Sequence, residues 1–246
     1  MRVTRALVLA GVPVLTCLVA WATQAPSAAL PAAQTANGRA RSARPVVYAA
    51  SGAELIQFDV DVAKAALRRR GSVTLHAHVQ EAALHPSGES WYVASSDGGP
   101  TNARAGGGPA PRGRDHRVTA FRIDPISGAL TPHGAPATLP SRPIHVTTDR
   151  TGTHVLTAFN DPSGVTVHRL RQDGAIGEEV RPPDPLDAGI YGHQVRVAPS
   201  NRTVILVTRG NGPTATRPED PGALKVFDYT DGRLTARLLV LGGSLM

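Results

Sequence analysis

The sequence predicts an all-β chain made of β-propeller blades, and three observations carry that prediction. A strand, a tight turn and a second strand recur three times, in VQEAALHPSGESWYVASS (79–96), IHVTTDRTGTHVLTAF (144–159) and QVRVAPSNRTVILVTR (194–209). Each pair is followed by a third strand, a polar turn and a weaker fourth strand, which together make the four-stranded unit of a blade. Finally, 25 Gly and 21 Pro among 246 residues would cut long helices short.

Taken in order, Met1–Ala22 reads as a secretory signal. Arg2 and Arg5 form a basic start, Ala6–Ala22 is apolar, and Ala20-Trp21-Ala22 offers small residues for cleavage. The competing reading is a membrane anchor, but the apolar run carries Pro13 and is short for a bilayer span. Cleavage implies a secreted or periplasmic protein. Cys17 is the single cysteine, and the apolar run continues past it, against a lipid anchor. Removal of the signal leaves no thiol, so disulfides, thiolate metal sites and a Cys nucleophile are excluded. Residues 23–44, rich in Ala and Pro without periodicity, read as a disordered linker.

The formal charge of +7 at first suggests a nucleic-acid partner. Five of those charges are Arg2, Arg5, Arg39, Arg41 and Arg44, which leaves +2 for residues 46–246 and no footprint for nucleic acid.

From Pro45, the segments VVYAA, ELIQFDV and SVTLHA supply three strands with no inner strand before them. The stretch Asp59–Arg70 is expected to be strand followed by turn, not helix, with Arg68–Arg70 as a solvated loop. The three repeats align on Gly88, Gly152 and Asn201, residues that tolerate a left-handed turn, at spacings of 64 and 49. The insertion 98–114 accounts for the longer spacing. The third strands are 117–123, 164–170 and 223–229. The prediction is therefore three complete four-stranded blades and one three-stranded blade, part of a ring, with open edges that favour self-association.

Several long stretches resemble the β-propeller lactonases, the family of 6-phosphogluconolactonase-type and carboxymuconate cyclase-like enzymes. They are RPIHVTTDRTGTHVLTAFNDPSGVTVHRL (142–170), GIYGHQVRVAPSNRTVILVTRGNG (189–212), PEDPGALKVF (218–227) and HPSGESWYVASSDGG (85–99). The resemblance implies a seven-bladed ring, of which 45–246 would be a partial lactonase domain. It also implies that the next blade opens on a Gly-Pro-Arg-His-like strand and carries a Glu, the Arg and Glu being active-site groups without a counterpart here. The function implied is an exported lactone hydrolase acting on a small-molecule lactone. The alternatives are a non-catalytic propeller module and an inactive fragment.

In a blade, the start of the inner strand and the end of the second strand converge on one mouth of the central channel. By position these are Gln80, Glu81, Ser96 and Asp97; Ile144, His145, Asn160 and Asp161; and His193, Gln194, Arg209 and Asn211. Lactone hydrolysis needs a base for water and donors for the oxyanion. His193 or His145 suits the base, and Arg209 suits a substrate anion or the oxyanion. The resemblance implies that His193 falls on the family's channel His. Gln194, Asn211, Asn160, Asp97 and Glu81 complete the candidate substrate-binding set, though a polar residue at a strand end can equally cap a loop.

Other motifs carry no chemistry. Gly106–Gly108 lacks the Lys-Ser/Thr of a phosphate loop, and no His-Glu-x-x-His or Gly-x-Ser-x-Gly occurs. His76, His78 and His85 lack an acid at fitting spacing, so no metal and no cofactor is called for. Asn201 in a sequon is explained by its turn.

Overall fold

Period-two alternation of apolar and polar residues builds the first hairpin, β1 (Val46–Ser51) on β2 (Glu54–Asp61), with β3 (Ala66–Thr74) added antiparallel to β2. The computed structural model describes residues 45–99, 112–216 and 218–237. The expected signal, linker and Cys17, the Gly106–Gly108 run and residues 238–246 lie outside them. Among the described residues there is no helix.

The second sheet runs β4 (His78–Leu84), β5 (Ser90–Ser96), β6 (His116–Ile123) and β7 (Leu130–Pro132), with the two-residue β8 (Ala137–Thr138) also on β6. The third is β9 (Pro143–Thr148), β10 (His154–Phe159), β11 (Gly164–Leu170) and β12 (Ile176–Glu179). The fourth is β13 (Gly192–Val197), β14 (Thr203–Thr208), β15 (Leu224–Thr230) and β16 (Arg233–Ala236). All four sheets are antiparallel meanders, the blades expected from the repeats. The three turns that align the repeats are left-handed, with φ of 78° at Gly88, 73° at Gly152 and 55° at Asn201.

One expectation fails. Arg68–Arg70 lies within β3, not in a loop, and the turn comes earlier, at residues 62–65. An exposed outer strand needs no apolar face, and its arginines find acids on the neighbouring strand: Arg69 pairs with Glu54, and Arg68 and Arg70 each lie 3.4 Å from Asp59. Charged side chains on a sheet edge also discourage pairing with another chain.

Successive sheets stack face to face through apolar seams. Tyr48 and Leu55 meet Trp91, Val93 and Phe121 between the first two; Tyr92 and Val118 meet Val155 and Leu170 between the next two. Leu156 and Ala158 meet Val195, Leu206 and Phe227 in the last seam. Each seam is also tied by a side chain reaching across blades. Tyr48 O–H donates to the Gly128 carbonyl, Tyr92 O–H to Gly174 at 3.0 Å, and His85 Nε2–H to Gly152 at 2.9 Å.

The tie with the most partners is Asp149, in the β9–β10 turn and buried. Its Oδ1 accepts the Thr153 N–H at 2.8 Å and the His154 N–H at 3.2 Å. Its Oδ2 accepts hydroxyls from Thr153 at 2.8 Å, Thr151 at 3.0 Å and Tyr229, on the next blade, at 3.2 Å. Burial pushes this carboxyl up, but the hydrogen bonds from His154 and Thr153 outweigh it and hold it well below the carboxylate range.

Candidate active site in the central channel

The inner strands β4, β9 and β13 bulge at the same register position. Val79 opposes Ser95 and Glu81 opposes Ala94, which leaves Gln80 unpaired. In the same way Ile144 is left out between Pro143 and His145, and His193 between Gly192 and Gln194. A bulge bends its strand and re-aims the side chains beside it, a device frequent next to active sites. Glu81, His145 and Gln194 therefore hold equivalent positions on three consecutive blades, and Ala83, Thr147 and Arg196 follow two residues on.

These positions communicate across the blades. The Gln194 amide lies 3.5 Å from His145 Nε2. His145 is 8% exposed, and its Nδ1 is buried with no hydrogen-bond partner. Burial, then the positive charges of Arg196 and His193, pull its pKa down to about 4, so the imidazole is neutral at pH 7. Burial pushes the Glu81 carboxyl above the ordinary range, while the Ala82 N–H and the charge of Arg196 pull it back. A neutral imidazole, a desolvated carboxyl and a guanidinium acting on both therefore gather near the starts of the inner strands. That set can accept a proton and stabilise a developing anion.

The remaining predicted residues take different roles. His193 is exposed at the bulge. Gln80 is turned to its own strand, donating to the His78 carbonyl at 3.0 Å. Asp97 accepts the Arg114 and Asp115 N–H groups, both at 2.8 Å, and so closes the neck of the insertion. Buried Ser96 bonds His116 Nδ1 at 2.8 Å. Asn160 Nδ2 donates to the Gly192 carbonyl at 3.4 Å, linking the third blade to the start of β13. Asp161 lies 3.8 Å from Arg112 and accepts the Ser141 hydroxyl at 2.7 Å through its carbonyl. Arg209 is stacked over the Tyr191 ring, 4.9 Å from its centroid, and Asn211 exchanges backbone bonds with Asp220 at 2.9 Å.

Sequence reasoning missed two arginines. Arg196 could have been found from strand periodicity, being two residues beyond Gln194 on the same face. Arg142 immediately precedes β9, and its Nε is buried without a partner. Among the described residues, no group of three or more His, Cys, Asp or Glu is placed to hold a metal ion.

A family model described as "Lactonase, 7-bladed beta-propeller" matches residues 46–213. A 6-phosphogluconolactonase of Enterobacter sp. (strain 638) is 38% identical over 91 residues, 37% of this chain and 26% of that protein. One from Klebsiella pneumoniae (strain 342) is 40% identical over 90 residues, again 37% of this chain and 26% of the relative. The match thus spans about a quarter of the length of these curated relatives. A crystal structure of a protein from Lactobacillus plantarum superposes with a TM-score of 0.57 at 14% identity, covering 79% of this chain and 51% of that one, which shows a common fold.

Proposed function

The chain belongs to the seven-bladed β-propeller lactonase family, and on that premise we propose that it hydrolyses a sugar lactone in its channel, after export, with His145 as the base that activates water. One observation carries the reading: a buried imidazole kept neutral, with an unpaired ring nitrogen, beside Gln194 of the next blade and in the field of Arg196.

Water attacks the lactone carbonyl while His145 takes its proton, giving a tetrahedral oxyanion and an imidazolium. Arg196 supplies a positive charge and the Gln194 amide a donor for that developing charge. Collapse breaks the ring C–O bond, and the leaving alkoxide recovers the proton from His145 to give the open hydroxy acid. The low pKa makes His145 a weak base in the free protein. An oxyanion next to Arg196 offsets the part of that lowering due to the Arg196 charge, so proton affinity rises as the transition state forms, where it lowers the barrier.

The test is a pH profile of kcat/KM for δ-gluconolactone and 6-phosphogluconolactone with the full chain, spontaneous hydrolysis subtracted. Since only neutral His145 can act, kcat/KM rises with pH through about 4 and is level above it. An acid limb near the ordinary imidazole value of about 6.5 would move the base to another histidine. Absence of hydrolysis of either lactone would overturn the reading.

A further inference from the structure

We infer that Tyr191, backed by Arg209, is a stacking platform at the channel mouth that selects a carbohydrate ring among lactones. The inference rests on the lactonase reading for what is turned over, but stands on separate residues.

Position comes first. Val79, Pro143 and Gly192 are equivalent in register, so the residues just before them, His78, Arg142 and Tyr191, occupy one level of the mouth on three successive blades. That level lies just outside the bulged residues and the layer of Glu81, His145 and Gln194. Of the three, only Tyr191 offers a phenol ring, and it is two residues from His193 and three from Gln194.

Conformation comes second. Tyr191 has a φ of 54°, a left-handed backbone that a bulky side chain adopts only when its surroundings impose it. Those surroundings are in place. Arg209 N–H donates to the Tyr191 carbonyl at 2.9 Å and Gly210 N–H to the Ile190 carbonyl at 3.0 Å. Gly192 N–H donates to Ser163 Oγ at 2.8 Å, and a Cβ at Gly192 would meet the Phe159 carbonyl oxygen at 2.8 Å. A glycine at 191 would remove the strain, so the ring is held there at the expense of backbone comfort. Strain of this kind gathers at ligand clamps.

Chemistry comes third. The Arg209 guanidinium lies over the Tyr191 ring, 4.9 Å from its centroid. Among the described residues it makes no hydrogen bond or ion pair, and Arg209 is exposed. A half-buried phenol fixed in orientation, with free donors beside it, complements a polyhydroxylated ring, whose C–H face stacks on an aromatic and whose edge hydroxyls seek donors. Arg142 adds a guanidinium at the same level, its Nε buried without a partner. A small unsubstituted lactone can stack its C–H groups but has no hydroxyls for these donors, and so gains less from this rim.

Two readouts test the platform. The first is the ratio of kcat/KM for δ-gluconolactone to that for δ-valerolactone. Tyr191→Gly, which relieves the backbone and keeps the fold, lowers the ratio about tenfold through KM for gluconolactone, and Tyr191→Phe restores it. The second is calorimetric binding of 1,5-anhydroglucitol, a pyranose ring that cannot be hydrolysed, which the wild type binds and Tyr191→Gly binds about tenfold more weakly. An unchanged ratio, or anhydroglucitol binding that is equal in both proteins or absent from the wild type, overturns the platform. Tyr191-dependent anhydroglucitol binding in a protein that hydrolyses no lactone would sink the lactonase reading and leave the platform standing.

Discussion

Replacing His145 by Gln is expected to lower kcat for lactone hydrolysis by about 10²–10⁴-fold, the usual contribution of a positioned general base. Glutamine keeps much of the volume and one polar contact to Gln194 but cannot take the proton. The fold should tolerate the change, because the His145 ring gives up only the 3.5 Å contact and its Nδ1 has no partner to lose. Steady-state kinetics with a thermal melt on the same sample checks both halves. A Gln variant that melts like the wild type and retains its rate would remove His145 from the mechanism.

Asp149→Ala is expected to give the largest loss of stability, about 3 kcal/mol or more. It deletes the common acceptor of two backbone N–H groups and three hydroxyls in a site where solvent cannot replace it. The loss falls on the seam between the third and fourth blades, since Tyr229 and Asn201, which accepts the Arg150 N–H at 2.9 Å, come from the fourth. The sign with pH follows from a folded-state pKa below the unfolded one. The Asp149 contribution is whole above the unfolded value of about 3.8 and is lost as pH falls through the folded value. Urea melts at pH 7 measure the difference. A midpoint unchanged from wild type would show that the network contributes no net stability.

Much of this architecture is legible in the chain because the blade repeat is written in local chemistry. Gly88, Gly152 and Asn201 mark the hairpins, since few other residues adopt the left-handed turn that each requires. The β3 strand is harder to read, because a triplet of arginines resembles a loop wherever an exposed strand has no buried face to display. Glu81, His145 and Gln194 follow from their places at inner-strand starts. Their common aim does not, because the three bulges depend on how each strand pairs with its partner and leave no mark in composition. Arg196 was within reach of period-two counting. The burial that makes His145 neutral, by contrast, depends on packing between blades, which a linear sequence does not display.

The most direct test of the channel is the titration of His145, followed by NMR of the imidazole in the full chain and in Arg196→Gln. His145 lies on the third blade and Arg196 on the fourth, so the pair interact only if the two inner strands lie side by side. Removing the positive charge of Arg196 is expected to raise the His145 pKa from about 4 by roughly half a unit to one unit. A His145 pKa that is identical in the two proteins would place these groups apart and contradict the convergence on which the proposed site depends.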